Sequence, residues 1–277
     1  MNLLELDDVH VTHHRRGRDP VRAVRGVSLT VAPGQIVGLV GESGCGKSSL
    51  ARVAVGLSAP TEGAVRFEGR PLEASRLRAR AKDALGLQMI FQNPYASLSP
   101  RRSIGSQLLD GVRSPLPRQE RAAEAARLLQ LVGLDPDSRN RYPNQFSGGQ
   151  RQRLAIARAL AAKPSLVIAD EPVTALDAFS SAQIVTLLTG LVRELGMGML
   201  FISHDLSLVR AIADETAVMF AGEIVERGPS ERVWNEPAHE YTKTLISAIP
   251  VIGPKTIRRK TAGTAPAAGR ERNSHVG

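Results

Sequence analysis

The segment Gly41-Glu42-Ser43-Gly44-Cys45-Gly46-Lys47-Ser48 constrains the fold of this chain more tightly than any other stretch. It fits the pattern G-x-x-x-x-G-K followed by Ser or Thr. In that pattern glycines let the backbone wrap a polyphosphate, the lysine neutralises it and the hydroxyl reaches Mg²⁺. An apolar run over residues 36–40 precedes the loop, and residues 48–57 read as a helix. Phosphates would therefore meet free N–H groups at a helix N-terminus. Strand, loop and helix in that order commit the surrounding chain to an α/β architecture, with Gly41, Glu42, Ser43, Gly44, Cys45, Gly46, Lys47, Ser48 and the adjoining Ser49 as candidate nucleotide contacts.

Three further strand-length apolar runs end in residues of chemical interest. Residues 87–91 end at Gln92, 166–169 at Asp170-Glu171, and 199–203 at His204. Ligands of open α/β sheets bind outside the carboxyl ends of parallel strands, so these ends are expected to converge on one nucleotide. Each residue has an ordinary alternative: Asp170 as a turn cap, Glu171 as a surface acid, Gln92 as a strand-end amide, His204 as a structural histidine. The neighbours favour chemistry. Asp170 follows four apolar residues and precedes Glu171-Pro172, which suits a carboxylate positioning Mg²⁺ through water beside a second one that orients and polarises the attacking water. Phe91-Gln92-Asn93-Pro94 supports Gln92 as a metal-side and catalytic residue alongside Ser48, and Ser203-His204-Asp205 suits a γ-phosphate contact.

Between Gln92 and Asp170 the character changes. Residues 100–110 and 117–134 are rich in helix formers, with Ala122, Ala125, Leu128, Leu129 and Val132 along one face, and Pro115, Pro117, Pro136 and Pro143 punctuate the connections. This reads as a helical subdomain, about 93–163, inserted in the sheet. Its last helix begins at Ser147-Gly148-Gly149-Gln150 and offers a second anion-binding N-terminus.

Composition removes other classes. With 277 residues and 42% apolar content the chain can bury a full core. Of the formal net charge of +9, more than half lies in residues 254–277, an Ala/Gly/Thr/Pro-containing tail that reads as disordered. A mildly basic body with 4% aromatics offers neither a phosphate-binding stripe nor a stacking platform, so no direct nucleic-acid partner is expected. The N-terminal segment has acids where an export signal needs a basic start, and no run of about 18 apolar residues could span a membrane. Cys45 is the only cysteine, which excludes an internal disulfide and reads as a spacer in the glycine loop.

The Phe146-Ser147-Gly148-Gly149-Gln150 segment, opening a basic helical run, resembles the signature of ATP-binding cassette (ABC) proteins. From residue 3 to about 250 the chain is similar to the ATP-binding subunit of bacterial ABC importers of the oligopeptide, dipeptide and nickel uptake branch. The narrower likeness rests on the stretch from Phe91 to Arg101 and on Gly222-Glu223-Ile224-Val225-Glu226-Arg227-Gly228 followed by Pro237-Ala238-His239-Glu240-Tyr241-Thr242. The resemblance implies an α/β P-loop NTPase fold of the ABC cassette type, with N-terminal antiparallel β elements, a mostly parallel core sheet and the inserted helical subdomain. Residues 1–228 would form the nucleotide-binding domain, 229–253 a family extension and 254–277 the basic tail.

The same resemblance implies hydrolysis of ATP with Mg²⁺, with Glu171, His204 and Gln92 catalytic and Ser48, Gln92 and Asp170 on the metal side. It pairs the glycine loop of one subunit with Ser147, Gly148, Gly149 and Gln150 of a second ATP-binding subunit, itself or a paralogue. Asp177 reads both as a helix N-cap and as a link between the two sites. Transmembrane permease subunits would dock near residues 95–102 at the cytoplasmic face of the cell membrane, where the chain is peripheral, and an extracytoplasmic solute-binding protein would take part indirectly. Three positions depart from the family pattern: His13 stands where an aromatic residue often stacks on adenine, Phe146 where Leu is usual, and Glu240 where a proline usually follows the histidine. The competing class is a soluble cassette ATPase acting on DNA or ribosomes. Its usual marks, a long coiled-coil insertion, zinc cysteines or tandem cassettes, do not occur in the sequence.

Overall fold

The computed structural model describes residues 1–14, 17, 19–74, 85–93, 97–113 and 116–248. Tyr95 and Ala96 of the expected permease contact, the preceding Pro94, and the tail 254–277 lie outside the described residues. Strands β1 (Leu4–His13) and β2 (Val21–Val31) open the chain, and β3 (Ile36–Val40) runs through the glycine loop into α1 (Lys47–Ala54). Then come β4 (Glu62–Phe67), β5 (Arg70–Pro71) and β6 (Leu87–Ile90). The segment between β6 and β7 (Leu166–Asp170) is helical, with α2 (Ile104–Leu109), α3 (Arg118–Leu131), two short 3₁₀ turns and α4 (Gly148–Leu160). The remainder alternates: α5 (Ala178–Glu194), β8 (Gly198–Ile202), α6 (Leu206–Ile212), a hairpin of β9 (Glu215–Phe220) and β10 (Glu223–Pro229), then α7 (Ser230–Asn235) and α8 (Glu240–Ser247).

Two sheets result. An antiparallel sheet has the order β2-β1-β4-β5, and a six-stranded sheet the order β10-β9-β3-β8-β7-β6, parallel except for β10. Strands β3, β7 and β8 are buried at all five positions, as strands covered on both faces must be. Side chains alternate between two cores at the period of a strand. Ile36, Val167, Ala169, Met199 and Phe201 face the helices, whereas Val37, Leu39, Leu166, Ile168, Leu200 and Ile202 face α1 and the antiparallel sheet. The parallel order lays the carboxyl ends of β6, β7, β8 and β3 side by side.

Two expectations, one for α1 and one for α3, differ in detail. The helix read over 48–57 stops at Ala54, because Gly56 takes φ +73° and the Gly56 and Leu57 amides turn back onto the Val53 and Arg52 carbonyls. That is the Schellman ending, which glycine permits at no steric cost. On α3, Ala125, Leu128 and Leu129 are buried with Val132, but Ala122 is exposed. The apolar face runs past the packed helices there and borders an open cleft with Arg102 and Arg139. Beyond β10, α7 buries Val233 and Trp234 in the core that holds Phe201 and Val218. No helix among the described residues is long and apolar enough to cross a membrane.

Candidate nucleotide site

The glycine loop is built by close backbone approach. A Cβ at Gly41 would lie 2.2 Å from the Met219 carbonyl oxygen, and one at Gly46, where φ is +112°, would lie 2.0 Å from the Ala23 carbonyl oxygen. Only glycine fits either position. Lys47 is 4% exposed, and its ammonium donates to the carbonyls of Gly41 at 2.7 Å and Glu42 at 2.8 Å, inside the curl of the loop. Glu42, Ser43 and Gly44 are exposed at the rim. Burial pushes the Cys45 thiol above its ordinary range against the opposing pull of Lys47, which fits an inert spacer. His13, at the end of β1, meets Ser49 of α1 with Nε2 and Oγ 2.9 Å apart, so the two residues share one edge of the loop.

Beside the loop, the Ser48 hydroxyl donates to Asp170 Oδ1 at 3.2 Å. Asp170 is 7% exposed, and burial raises its carboxyl above the usual range; the Ser48 hydrogen bond pulls the other way and the Glu171 charge adds to the rise. A buried carboxylate held against a hydroxyl is a hard-oxygen donor pair that a divalent cation would satisfy. No group of three or more His, Cys, Asp or Glu among the described residues could hold a metal by itself. Such a site fits Mg²⁺, which is usually bound through one or two carboxylates plus substrate phosphates.

Glu171 follows directly in the left-handed region, with φ +48°, and its N–H donates to the Ile202 carbonyl at 2.9 Å. The side chain is 16% exposed. Its Oε2 accepts from Gln92 Nε2 at 3.2 Å and from Thr174 Oγ1 at 3.0 Å, and His204 Nδ1 lies 3.4 Å away. The structure thus brings together Ser48 of α1 with Gln92, Asp170-Glu171 and His204 from three strand ends and adds Thr174. Sequence reasoning missed Thr174 as a partner, because its approach depends on the turn that Glu171's backbone makes.

The Ser147–Gln150 end stands apart from this cluster. Ser147 caps α4 in a reciprocal box: its Oγ accepts from the Gln150 N–H at 3.3 Å, and Gln150 Oε1 accepts from the Ser147 N–H at 2.9 Å. Gly148 and Gly149 lie beside Leu176 and Ser180. Asp177 is the N-cap of α5, accepting from the Ser180 N–H at 2.9 Å and its hydroxyl at 2.7 Å; the Ser180 backbone bond leads in holding its carboxyl below the ordinary range. Within one chain, then, the glycine loop and the capped start of α4 are two separate glycine-containing backbone turns. A second contact escaped the sequence reading: Tyr241, on α8, accepts a hydrogen bond from the Glu42 N–H at 3.1 Å.

Two family descriptions match the chain: "ABC transporter" over residues 24–174 and "Oligopeptide/dipeptide transporter, C-terminal region" over residues 225–275. The probable peptide ABC transporter ATP-binding protein y4tS of Sinorhizobium fredii is 48% identical over 240 residues, covering 86% of this chain and 68% of that protein. The oligopeptide transport ATP-binding protein OppF of Bacillus subtilis is 43% identical over 252 residues, covering 90% of this chain and 83% of that protein. Among solved structures, a dimeric post-hydrolysis state of the ATP-binding cassette MJ0796 bound to ADP and Pi superposes with a TM-score of 0.71 at 28% identity, covering 82% of this chain and 98% of that one.

Proposed function

We propose that this chain, which belongs to the ABC transporter family and binds and hydrolyses ATP, is the subunit that energises an importer of peptides. The observation that carries the catalytic half is the meeting of Gln92, Thr174 and His204 on one oxygen of Glu171 beside the Ser48–Asp170 pair. The glycine loop and Lys47 would take the phosphates. With Oε2 of Glu171 gripped by its neighbours, Oε1 is left to accept a proton from the attacking water and to aim it. Mg²⁺, when bound, supplies charge neutralisation at the phosphates; Ser48 would ligate it, with Asp170 and Gln92 facing its shell. His204 would contact the γ-phosphate, and His13 would lie against the base.

Ser147, Gly148, Gly149 and Gln150 would serve the nucleotide of a second ATP-binding subunit, with Asp177 near the joint. The chain would sit peripherally at the cytoplasmic face of the membrane on permease subunits that receive cargo from a solute-binding protein. Peptide cargo is the class supported by the C-terminal region match and by the relatives' names; nothing among them favours action on DNA or ribosomes. The test is uptake of labelled di- and oligopeptides, with nickel in parallel, by cells lacking this subunit and carrying either the wild-type chain or Lys47→Ala. Wild type should restore peptide uptake and Lys47→Ala should not. Restoration by Lys47→Ala would overturn the energetic role, and restoration of nickel uptake alone would overturn the cargo.

A further inference from the structure

The C-terminal end of the described chain returns to the glycine loop, and the ATP motifs alone give no reason for it to do so. The Gly41–Glu42 peptide group is held on both sides: the Glu42 N–H donates to Tyr241 Oη at 3.1 Å, and the Gly41 carbonyl accepts from the Lys47 ammonium at 2.7 Å. A second tie lies nearby, where the Gly222 N–H of the β9–β10 turn donates to the Cys45 carbonyl at 3.0 Å. Tyr241 is itself fixed. Its ring lies 4.3 Å from the Phe220 ring at the end of β9, and its N–H donates to His239 Nδ1 at 3.1 Å. The Glu226 carboxylate of β10 receives the Ala238 and His239 N–H groups at 2.8 and 3.0 Å, which anchors the start of α8 to the hairpin. Glu42 is 199 residues from Tyr241 in sequence, so nothing local accounts for the pairing.

From this geometry we propose that Tyr241 is a positioning residue for ATP binding: its hydroxyl sets the Glu42 peptide and, through it, the loop and the Lys47 ammonium that receive the phosphates. The proposal rests on reading residues 41–48 as the phosphate loop. A loop ordered before the nucleotide arrives need not be ordered by it, so losing the tie weakens ground-state binding and leaves the chemistry at Glu171 unchanged. Because Glu42 is exposed, water can partly replace the hydroxyl, which keeps the effect to that of one net hydrogen bond, about 3- to 10-fold in affinity.

The experiment compares the full-length wild type with Tyr241→Phe, Lys243→Ala and Lys47→Ala. Calorimetric titration with Mg·ADP and Mg·ATP is run beside steady-state KM and kcat and thermal unfolding without nucleotide. Tyr241→Phe keeps the ring on Phe220 and removes only the acceptor. It should raise Kd and KM by about 3- to 10-fold, with kcat within about twofold and unfolding unchanged. Lys243, which pairs with Glu240 on its own helix, serves as the control and should match wild type when replaced by Ala. Wild-type affinity in Tyr241→Phe, with binding lost in Lys47→Ala, would overturn the role of Tyr241 and leave the loop reading intact. Wild-type affinity in Lys47→Ala would overturn both. A loss in Tyr241→Phe that falls on kcat and melting temperature together would mark a structural role and also overturn the proposal. Glu226→Gln gives a second route, since it weakens the α8 anchor with the hydroxyl retained; it should raise KM in the same direction, and an unchanged KM would count against the idea.

Discussion

Replacing Glu171 with Gln separates the two halves of the proposed site, and the structure sets the size of each effect. The amide is nearly isosteric with the carboxylate. Its oxygen can take the place of Oε2 and go on accepting from Gln92 and Thr174, while the backbone bond from Glu171 N–H to the Ile202 carbonyl is untouched. The structural cost is the exchange of a charged acceptor for a neutral one in two partly exposed hydrogen bonds, about 1 kcal/mol or less. The chemical cost is larger. The amide nitrogen then occupies the position of Oε1, where it can donate to water but cannot take its proton. Removing a polar group that acts at the transition state costs about 10²- to 10³-fold in kcat, or about 2.7–4 kcal/mol. None of the contacts of Lys47 or Ser48 involves Glu171 directly, so Mg·ATP affinity should hold or tighten slightly as one negative charge leaves the neighbourhood of the phosphates. Phosphate release under saturating ATP, beside equilibrium binding of Mg·ATP, reads both quantities. Turnover within about threefold of wild type would refute the assignment of Glu171 as the water-orienting carboxylate. A tenfold loss of affinity would refute the separation and make Glu171 part of the binding frame.

Other residues give shorter tests. Ser147→Arg should leave Mg·ATP affinity nearly intact, because Ser147 bonds only within its own helix cap, yet it should abolish the ATP-dependent dimer of the Glu171→Gln chain in size-exclusion chromatography; equal dimerisation with and without the arginine would contradict the shared site. Gly46→Ala should destabilise the chain by about 2 kcal/mol or more and eliminate nucleotide binding, since the new Cβ would lie 2.0 Å from the Ala23 carbonyl oxygen at a positive φ; a stable variant with wild-type affinity in calorimetry would show that the loop can relax. Asp170→Asn should bind nucleotide but lose most of the stimulation of hydrolysis by Mg²⁺, and an unchanged cation dependence would take Asp170 off the metal side.

The strand-end parts of the site that could be read in sequence share one property: each is a short apolar run closed by a polar residue. In β6, β7 and β8 the run fixes a strand, the parallel order aligns the strand ends, and so Gln92, Asp170-Glu171 and His204 meet, while Ser48 is read from the glycine-loop pattern that follows β3. What escaped reading depends on backbone directions that composition does not encode. Thr174 reaches Glu171 because Glu171 adopts φ +48°, and Tyr241 reaches Glu42 because a hairpin and two helices bring the chain back across the sheet edge. The end of α1 was legible in principle, since Gly56 announces it, although the sequence reads as helix on to residue 57. On Asp177 both readings stood open, and the structure supplies the capping bonds to Ser180 without excluding a role toward a second subunit.

The segment 171–177 runs from the Glu171 cluster to the starts of α4 and α5. At its start, Glu171 is tied to Gln92, Thr174 and Ile202; at its end, Asp177 caps α5 beside Gly149. Between them the loop is closed on itself: the Leu176 N–H donates to the Val173 carbonyl at 3.0 Å, and the buried Ser181 hydroxyl donates to that same carbonyl at 3.3 Å. Leu176 then lies against Gly148 at the start of α4. A segment with its turns hydrogen-bonded and Val173 only 7% exposed is packed along its length rather than open at one residue. On the proposed reading, the Glu171 carboxylate and the N-termini of α4 and α5 are thus held by one hydrogen-bonded segment. Ser147–Gln150 at α4 are the residues proposed to serve the second subunit's nucleotide, so the segment that carries the proposed water-orienting carboxylate also abuts the proposed partner surface, through seven residues of backbone.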